Sequence, residues 1–165
     1  MKVYSWEDVE ALSKHMVELL EETNWAPDYI VGIVGGSCIP AALISKYADI
    51  PMETLKVELP DAIESNCWMA EDAFGYSDYS YKEEHKKNIL IMFDVFDKEI
   101  VECIKDDWGY SVANADHTVW NRNVKFASLI CSPSDVLDVD YASLIINPIE
   151  ANESHYSFPW KQFTI

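Results

Sequence analysis

Asn88-Ile-Leu-Ile-Met-Phe-Asp-Val-Phe-Asp-Lys-Glu-Ile-Val-Glu-Cys-Ile-Lys-Asp-Asp-Trp-Gly109 is the stretch whose reading decides the fold. An unbroken apolar run, Ile89 to Phe93, ends in two acids spaced by three, Asp94 and Asp97, and a segment of helical character follows and stops at Gly109. A continuous apolar run of this length suits a strand covered on both faces, as in a parallel sheet. Its direct passage into a helix puts the two carboxylates at the strand's carboxyl edge, where open α/β sheets bind their ligands. The helix start itself resists one such role. A phosphate-binding N-terminus offers free N–H groups beside small residues, and this one presents Lys98 and Glu99.

Working outward, residues 5–23 read as a helix, with Ser5 as N-cap and Asp8 three residues on. Trp6, Val9, Leu12, Met16, Leu19 and Leu20 recur at helical spacing and are expected to face the core. Tyr29 to Val34 reads as a strand, Gly35-Gly36-Ser37 as a tight turn, and Pro40 as a first-turn residue of a helix over 39–48. Further strands are expected near 53–58, 125–131 and 142–146, and the helix of the central stretch near 98–108. Residues 60–87 hold many acids and aromatics, Trp68, Phe74, Tyr76, Tyr79 and Tyr81 among them, with no sustained period. They read as a long excursion from the sheet, a hairpin or hood. Strands alternating with helices make this an α/β chain with a mostly parallel, doubly wound sheet. It reads as a single domain over 1–165.

Composition limits the function classes. With 165 residues, 49% of them hydrophobic, the chain can build one sizeable core, and no apolar run is long enough to span a bilayer. The N-terminus is acidic and amphipathic, unlike a signal peptide. The scattered Cys38, Cys67, Cys103 and Cys131 read as reduced thiols in a cytoplasmic protein. Net charge is −17 and Arg122 is the single arginine. That disfavours direct nucleic-acid binding, which needs basic residues against the phosphate backbone, and it handicaps any polyanionic ligand normally gripped by arginine forks. The acidic surface either confers solubility alone or meets a basic protein partner in the manner of a nucleic-acid decoy.

Three stretches, in this order, resemble the type I phosphoribosyltransferases, closest to the purine-salvage (xanthine-guanine or hypoxanthine) branch and its divergent bacteriophage-encoded members. Tyr29-Ile-Val-Gly-Ile-Val-Gly-Gly-Ser-Cys-Ile-Pro-Ala-Ala-Leu43 resembles the family's strand, pyrophosphate loop and helix. Asn88 to Trp108 resembles the phosphoribosyl-diphosphate (PRPP) motif with its helix, and Phe158-Pro159-Trp160 the Pro-Trp ending beside the base pocket. Ser65 to Tyr76 falls where the family has its hood and mobile loop. The resemblance implies a type I phosphoribosyltransferase-like fold with a small hood. It also implies transfer of a phosphoribosyl group from PRPP to a purine base with release of pyrophosphate, magnesium as cofactor, and a cytoplasmic location, the host's if the chain is phage-encoded. A homo-oligomer is a further expectation.

The same resemblance assigns residues. The family motif runs acid-acid-x-x-Asp-Thr-Gly-x-Thr. Here the first acid is Phe93, the second is Asp94, and Asp97 takes the place of the general base. The Thr-Gly-x-Thr phosphate cradle has become Lys98-Glu99-Ile100-Val101, and the pyrophosphate loop has become Gly35-Gly36-Ser37 without its arginine. Asp94 would support magnesium through water. Ser132, His155, Tyr156 and Trp160 fall at base-binding positions. A helix N-terminus attracts an anion by about 0.3–1 kcal/mol. A Glu99 carboxylate about 5 Å from a phosphate costs roughly 3 kcal/mol per unit charge at an effective dielectric of about 20, so the repulsion wins unless Glu99 points away. The residues also have a purely structural account, with Asp97 as N-cap and Glu99 as a first-turn acid. Two hypotheses follow: a phosphoribosyltransferase with divergent PRPP binding, in which Asp97 carries any catalysis, or an inactive member that binds a nucleotide or a protein.

Overall fold

The computed structural model describes residues 2–58, 62–63, 67–77, 80–112, 115–147 and 156–161. The chain begins with β1 (Lys2–Val3) and α1 (Trp6–Glu22), followed by β2 (Tyr29–Ile33), α2 (Cys38–Ala48) and β3 (Met52–Leu55). Short elements come next: β4 (Val57–Glu58), β5 (Ala62–Ile63), α3 (Cys67–Phe74), β6 (Tyr76–Ser77) and β7 (Ser80–Tyr81). The second half contributes β8 (Ile89–Val95), α4 (Lys98–Ser111), β9 (Val124–Cys131), β10 (Tyr141–Ile145) and β11 (Tyr156–Ser157). Five strands form an all-parallel sheet in the order β10-β9-β8-β2-β3. A separate parallel pair, β1 with β11, ties the start of the chain to its end.

The period of two along β8 explains why this sheet is buried on both faces. Ile89, Ile91 and Phe93 join the core with α3 and α4, while Leu90 and Met92 join the core with α1 and α2. All five are at most 1% exposed. On α1 the capping box forms as expected: the Ser5 hydroxyl accepts from the Asp8 amide at 3.1 Å, and the Asp8 carboxylate accepts from the Ser5 amide at 2.8 Å. Val9, Met16 and Leu20 are buried, but Trp6 is 55% exposed, contrary to its expected core position. It stands at the first turn of α1, with its ring 6.0 Å from that of Trp160.

Three boundaries differ from expectation. The strand expected over 53–58 divides after Leu55: β3 stays in the sheet, whereas β4 turns away to pair antiparallel with β5. Helix α4 runs through Gly109 to Ser111. A Cβ at Gly109 would stand 2.9 Å from the His117 ring, so the glycine there admits a close side chain instead of ending the helix. Within the aperiodic stretch 60–87, α3 places Met69, Ala70, Ala73 and Phe74 in the core with no exposed surface. None of the helices is long and apolar enough to cross a membrane among the described residues.

The strand order has a functional consequence. β2 and β8 are neighbours whose chain connections leave in opposite directions across the sheet. In doubly wound sheets the crevice outside the carboxyl ends of such a pair is where ligands bind.

Candidate functional site

At this switch point the loop after β2 and the end of β8 are bonded to each other. The Ser37 hydroxyl donates to Asp94 Oδ1 at 3.1 Å and accepts the Asp94 amide at 3.0 Å. The Val95 amide donates to the same Oδ1 at 2.7 Å. Ser37 is 7% exposed. It reaches this position because Gly35 takes φ +120°, a conformation that L side chains rarely adopt, and so folds the loop back over the strand end. The amides that follow are used locally: Cys38 donates to Gly35 O and Ile39 to Gly36 O, each at 3.2 Å. Crowding completes the closure. A Cβ on Gly36 would stand 2.5 Å from Trp160 Nε1 and overlap Asp94 Oδ2. Trp160 stacks on Phe158 at 4.5 Å and 8°, and its indole N–H is shielded from solvent with no hydrogen-bond partner among the described residues.

The helix start after β8 is occupied from within. Asp97 is the N-cap of α4, and its Oδ1 accepts the Glu99 amide at 3.0 Å and the Ile100 amide at 3.4 Å. Those are amides an anion at this terminus would need. Lys98 turns to Asp138 at 3.6 Å, a half-exposed pair of small energetic weight. Glu99 is exposed, Ile100 is half-buried against the core, and Val101 is buried within it. Val101 therefore packs where the resemblance assigned phosphate contact. Phe93, in the place of the motif's first acid, is 1% exposed and meets Phe96 edge-on at 5.6 Å. No carboxylate fits that environment without a partner.

The base-binding assignments come apart. Ser132 spends its hydroxyl inside its own turn, 2.7 Å from Ser134 Oγ and 3.1 Å from Asp135 Oδ2. Tyr156 is buried, packed edge-on against Phe158 at 6.0 Å. Of that group, Trp160 alone lies against Gly36 and Asp94, and His155 falls outside the described residues. Asp94 Oδ2 takes part in no hydrogen bond among the described residues, and no group of three metal-ligating side chains occurs among them.

Two thiols lie near the edge, and burial acts on both. Burial pushes Cys38 up, with Asp94 adding to the effect against an opposing Gly35 contact. Burial, then Asp135 and Asp138, push Cys131 up to about 11. Neither has the depressed pKa of a nucleophilic cysteine. Sequence reasoning missed the Ser37–Asp94 pairing and the Lys98–Asp138 contact, since nothing in the spacing of these residues marks them as partners.

No protein-family model and no curated protein matches the chain. Solved structures do resemble it. A purine phosphoribosyltransferase from Pyrococcus horikoshii superposes with a TM-score of 0.65 at 20% identity, covering 99% of this chain and 96% of that one. The Helicobacter pylori xanthine-guanine-hypoxanthine phosphoribosyltransferase gives 0.63 at 17%, covering 98% and 93%. A hypothetical protein from Neisseria gonorrhoeae, solved with bound ppGpp, gives 0.59 at 16%, covering 96% and 89%. At these identities the likeness is one of fold: the chain has the parallel-sheet architecture of the type I phosphoribosyltransferases.

Proposed function

We propose that this is a purine-phosphoribosyltransferase-like protein that has lost all or nearly all PRPP-dependent transfer and acts by binding. One observation carries the reading: Asp97 fills the helix start with its own carboxylate, taking the Glu99 and Ile100 amides that a 5′-phosphate would use. A phosphate entering there must displace an anion already bonded, and it meets Glu99 as well. The loop at Gly36 opposes a pyrophosphate in the same way, because Asp94 stands over it. Among the described side chains this edge retains an unpaired donor, the Trp160 indole, beside an Asp94 oxygen that makes no hydrogen bond. That pair suits the edge of a neutral heterocycle such as a purine better than a sugar diphosphate. The acidic surface supplies the alternative occupant, a basic protein partner.

A second reading is favoured by the other oxygen of Asp97, which takes part in no hydrogen bond among the described residues. Half-buried at the carboxyl edge, it could serve as the general base of residual transfer. In that case magnesium would enter with PRPP and contact Asp94 through water. Titration calorimetry with PRPP and magnesium, then with purines and ppGpp, tests the proposal. It expects no PRPP heat and a measurable response to a purine. Sub-micromolar PRPP binding with turnover overturns it.

A further inference from the structure

The opposite edge of the sheet holds polar groups that the fold leaves unused. Arg122, the single arginine in a chain of net charge −17, makes no side-chain hydrogen bond or ion pair among the described residues. It lines a cavity of about 320 Å³ at the amino ends of β8 and β9, with Trp25, Lys86, Asn88 and Asn123. The walls are fixed. The Asn88 side-chain amide donates to Ala26 O at 2.9 Å, and that of Asn123 to Ala73 O at 2.8 Å and Lys87 O at 3.0 Å. The Trp25 indole N–H is shielded from solvent and has no partner among the described residues. Lys125 Nζ lies 4.8 Å over the Trp25 ring.

Trp25 also borders a second cavity of about 400 Å³ between α1 and α2, whose walls include Val17, Leu20, Tyr47, Ala48 and Ile50. One indole thus separates an apolar lobe from a lobe rich in donors. The acids nearby are largely engaged or peripheral. Glu83, which also lines the donor-rich cavity, and Asp116 are both held by Lys86, at 3.0 and 3.2 Å, and Glu21 borders the apolar lobe. Among the described residues Arg122 has no carboxylate partner, and it is the cation without one that lines this cavity. A buried donor such as the Trp25 N–H normally finds a partner.

We propose that the trough on either side of Trp25 binds a small amphipathic anion. Its apolar body would lie among Val17, Leu20 and Tyr47, and a single carboxylate or phosphate-monoester group would be met by Arg122 and the Trp25 N–H. This site lies across the sheet from Asp94 and Asp97 and does not depend on how that edge is read.

The test uses octanoate, octyl phosphate, octanol and acetate as probes of the ¹⁵N-labelled protein. The Trp25 indole resonance, identified with Trp25→Phe, is followed together with calorimetric affinity. Octanoate or octyl phosphate is expected to shift that resonance saturably, and octanol and acetate to bind at least about tenfold more weakly. Whichever anion binds tighter identifies the head group. Arg122→Gln changes an exposed, unpaired side chain, so the melting temperature should hold. The same change should weaken the anions roughly ten- to hundredfold and leave octanol unaffected. Octanol binding as tightly as both anions overturns the proposal, as does unchanged anion affinity in Arg122→Gln. Absence of any saturable shift of the Trp25 resonance overturns it too.

Discussion

Ser37→Ala tests whether the switch point is closed by its own residues. The hydroxyl serves two partners, Asp94 Oδ1 at 3.1 Å and the Asp94 amide at 3.0 Å. Alanine leaves that amide without an acceptor beneath a loop that is itself 7% exposed at Ser37, and an unsatisfied buried donor costs about 1–3 kcal/mol. The carboxylate fares better, because Val95 N remains bonded to Oδ1 at 2.7 Å and Asp94 is only half-buried. The lost charge-assisted bond therefore adds at the low end of its ordinary range, for a total of roughly 2–4 kcal/mol. In a chain of this size that is a Tm drop of roughly 4–15 °C. Urea unfolding with unchanged m-values measures it. Ser132→Ala, whose hydroxyl bonds only within its own turn, should change stability by less than about 1 kcal/mol. A double-mutant cycle with Asp94→Ala should give a coupling of about 1–2 kcal/mol, since the amide half of the loss persists in either background. A Ser37→Ala cost within about 0.5 kcal/mol, or a fully additive cycle, would refute the reasoning.

Asp97→Ala removes the cap of α4 and should cost about 1 kcal/mol, whereas Asp97→Asn should cost only a few tenths; denaturation curves of the two variants compare them. If transfer activity exists, Asp97→Asn should lower it by about 10²–10⁴ while the protein stays folded, and unchanged activity removes the base role. Lys98→Thr with Glu99→Gly should improve PRPP binding by calorimetry more than any single surface charge change, by removing a carboxylate from the helix start. Asp116 is held down to about 2 by the Thr118 hydroxyl, then the Thr118 amide, then Lys86. Its folded pKa lies below the unfolded value, so its stabilisation is present above about pH 4 and is lost as pH falls through about 2. Melting curves of Asp116→Ala should therefore converge on the parent below pH 2, and a constant difference across the acid range would contradict the assignment.

The sheet was legible because its signals are local and redundant. Ile89 to Phe93 can only be covered on both faces, and the Gly35–Pro40 punctuation ends one strand and starts one helix. The Asp97 cap was legible for the same reason, being a residue bonded to amides two and three positions on. Pairings across the chain were not. Ser37 and Asp94 lie 57 residues apart and meet only because β2 and β8 are neighbours. Gly109 misled because its missing side chain serves His117, a contact made after the helix has ended. Trp6 satisfied the helical period yet is more than half exposed at the first turn of α1, its ring tilted against that of Trp160, a residue the period cannot foresee.

These satisfied and unsatisfied groups bear on where ligands go. A ligand gains most where the folded chain has desolvated a polar atom without giving it a partner, because binding then removes a penalty already incurred. At the carboxyl edge the Glu99, Ile100 and Asp94 amides have protein acceptors, and the Trp160 N–H is a shielded side-chain donor without one among the described residues, beside a carboxylate. At the amino edge the Trp25 N–H is a shielded donor without a partner among the described residues, the cavity Trp25 borders is lined by Arg122, Lys86 and Glu83, and Lys125 lies over its ring. The two proposed sites therefore call for opposite ligands. Beside Asp94, an N–H favours a neutral acceptor that carries its own donor; beside Arg122, the same group favours an anion. On the proposed reading the switch point takes uncharged groups, while Arg122, a cation without a carboxylate partner among the described residues, stands at the other end of the same strands.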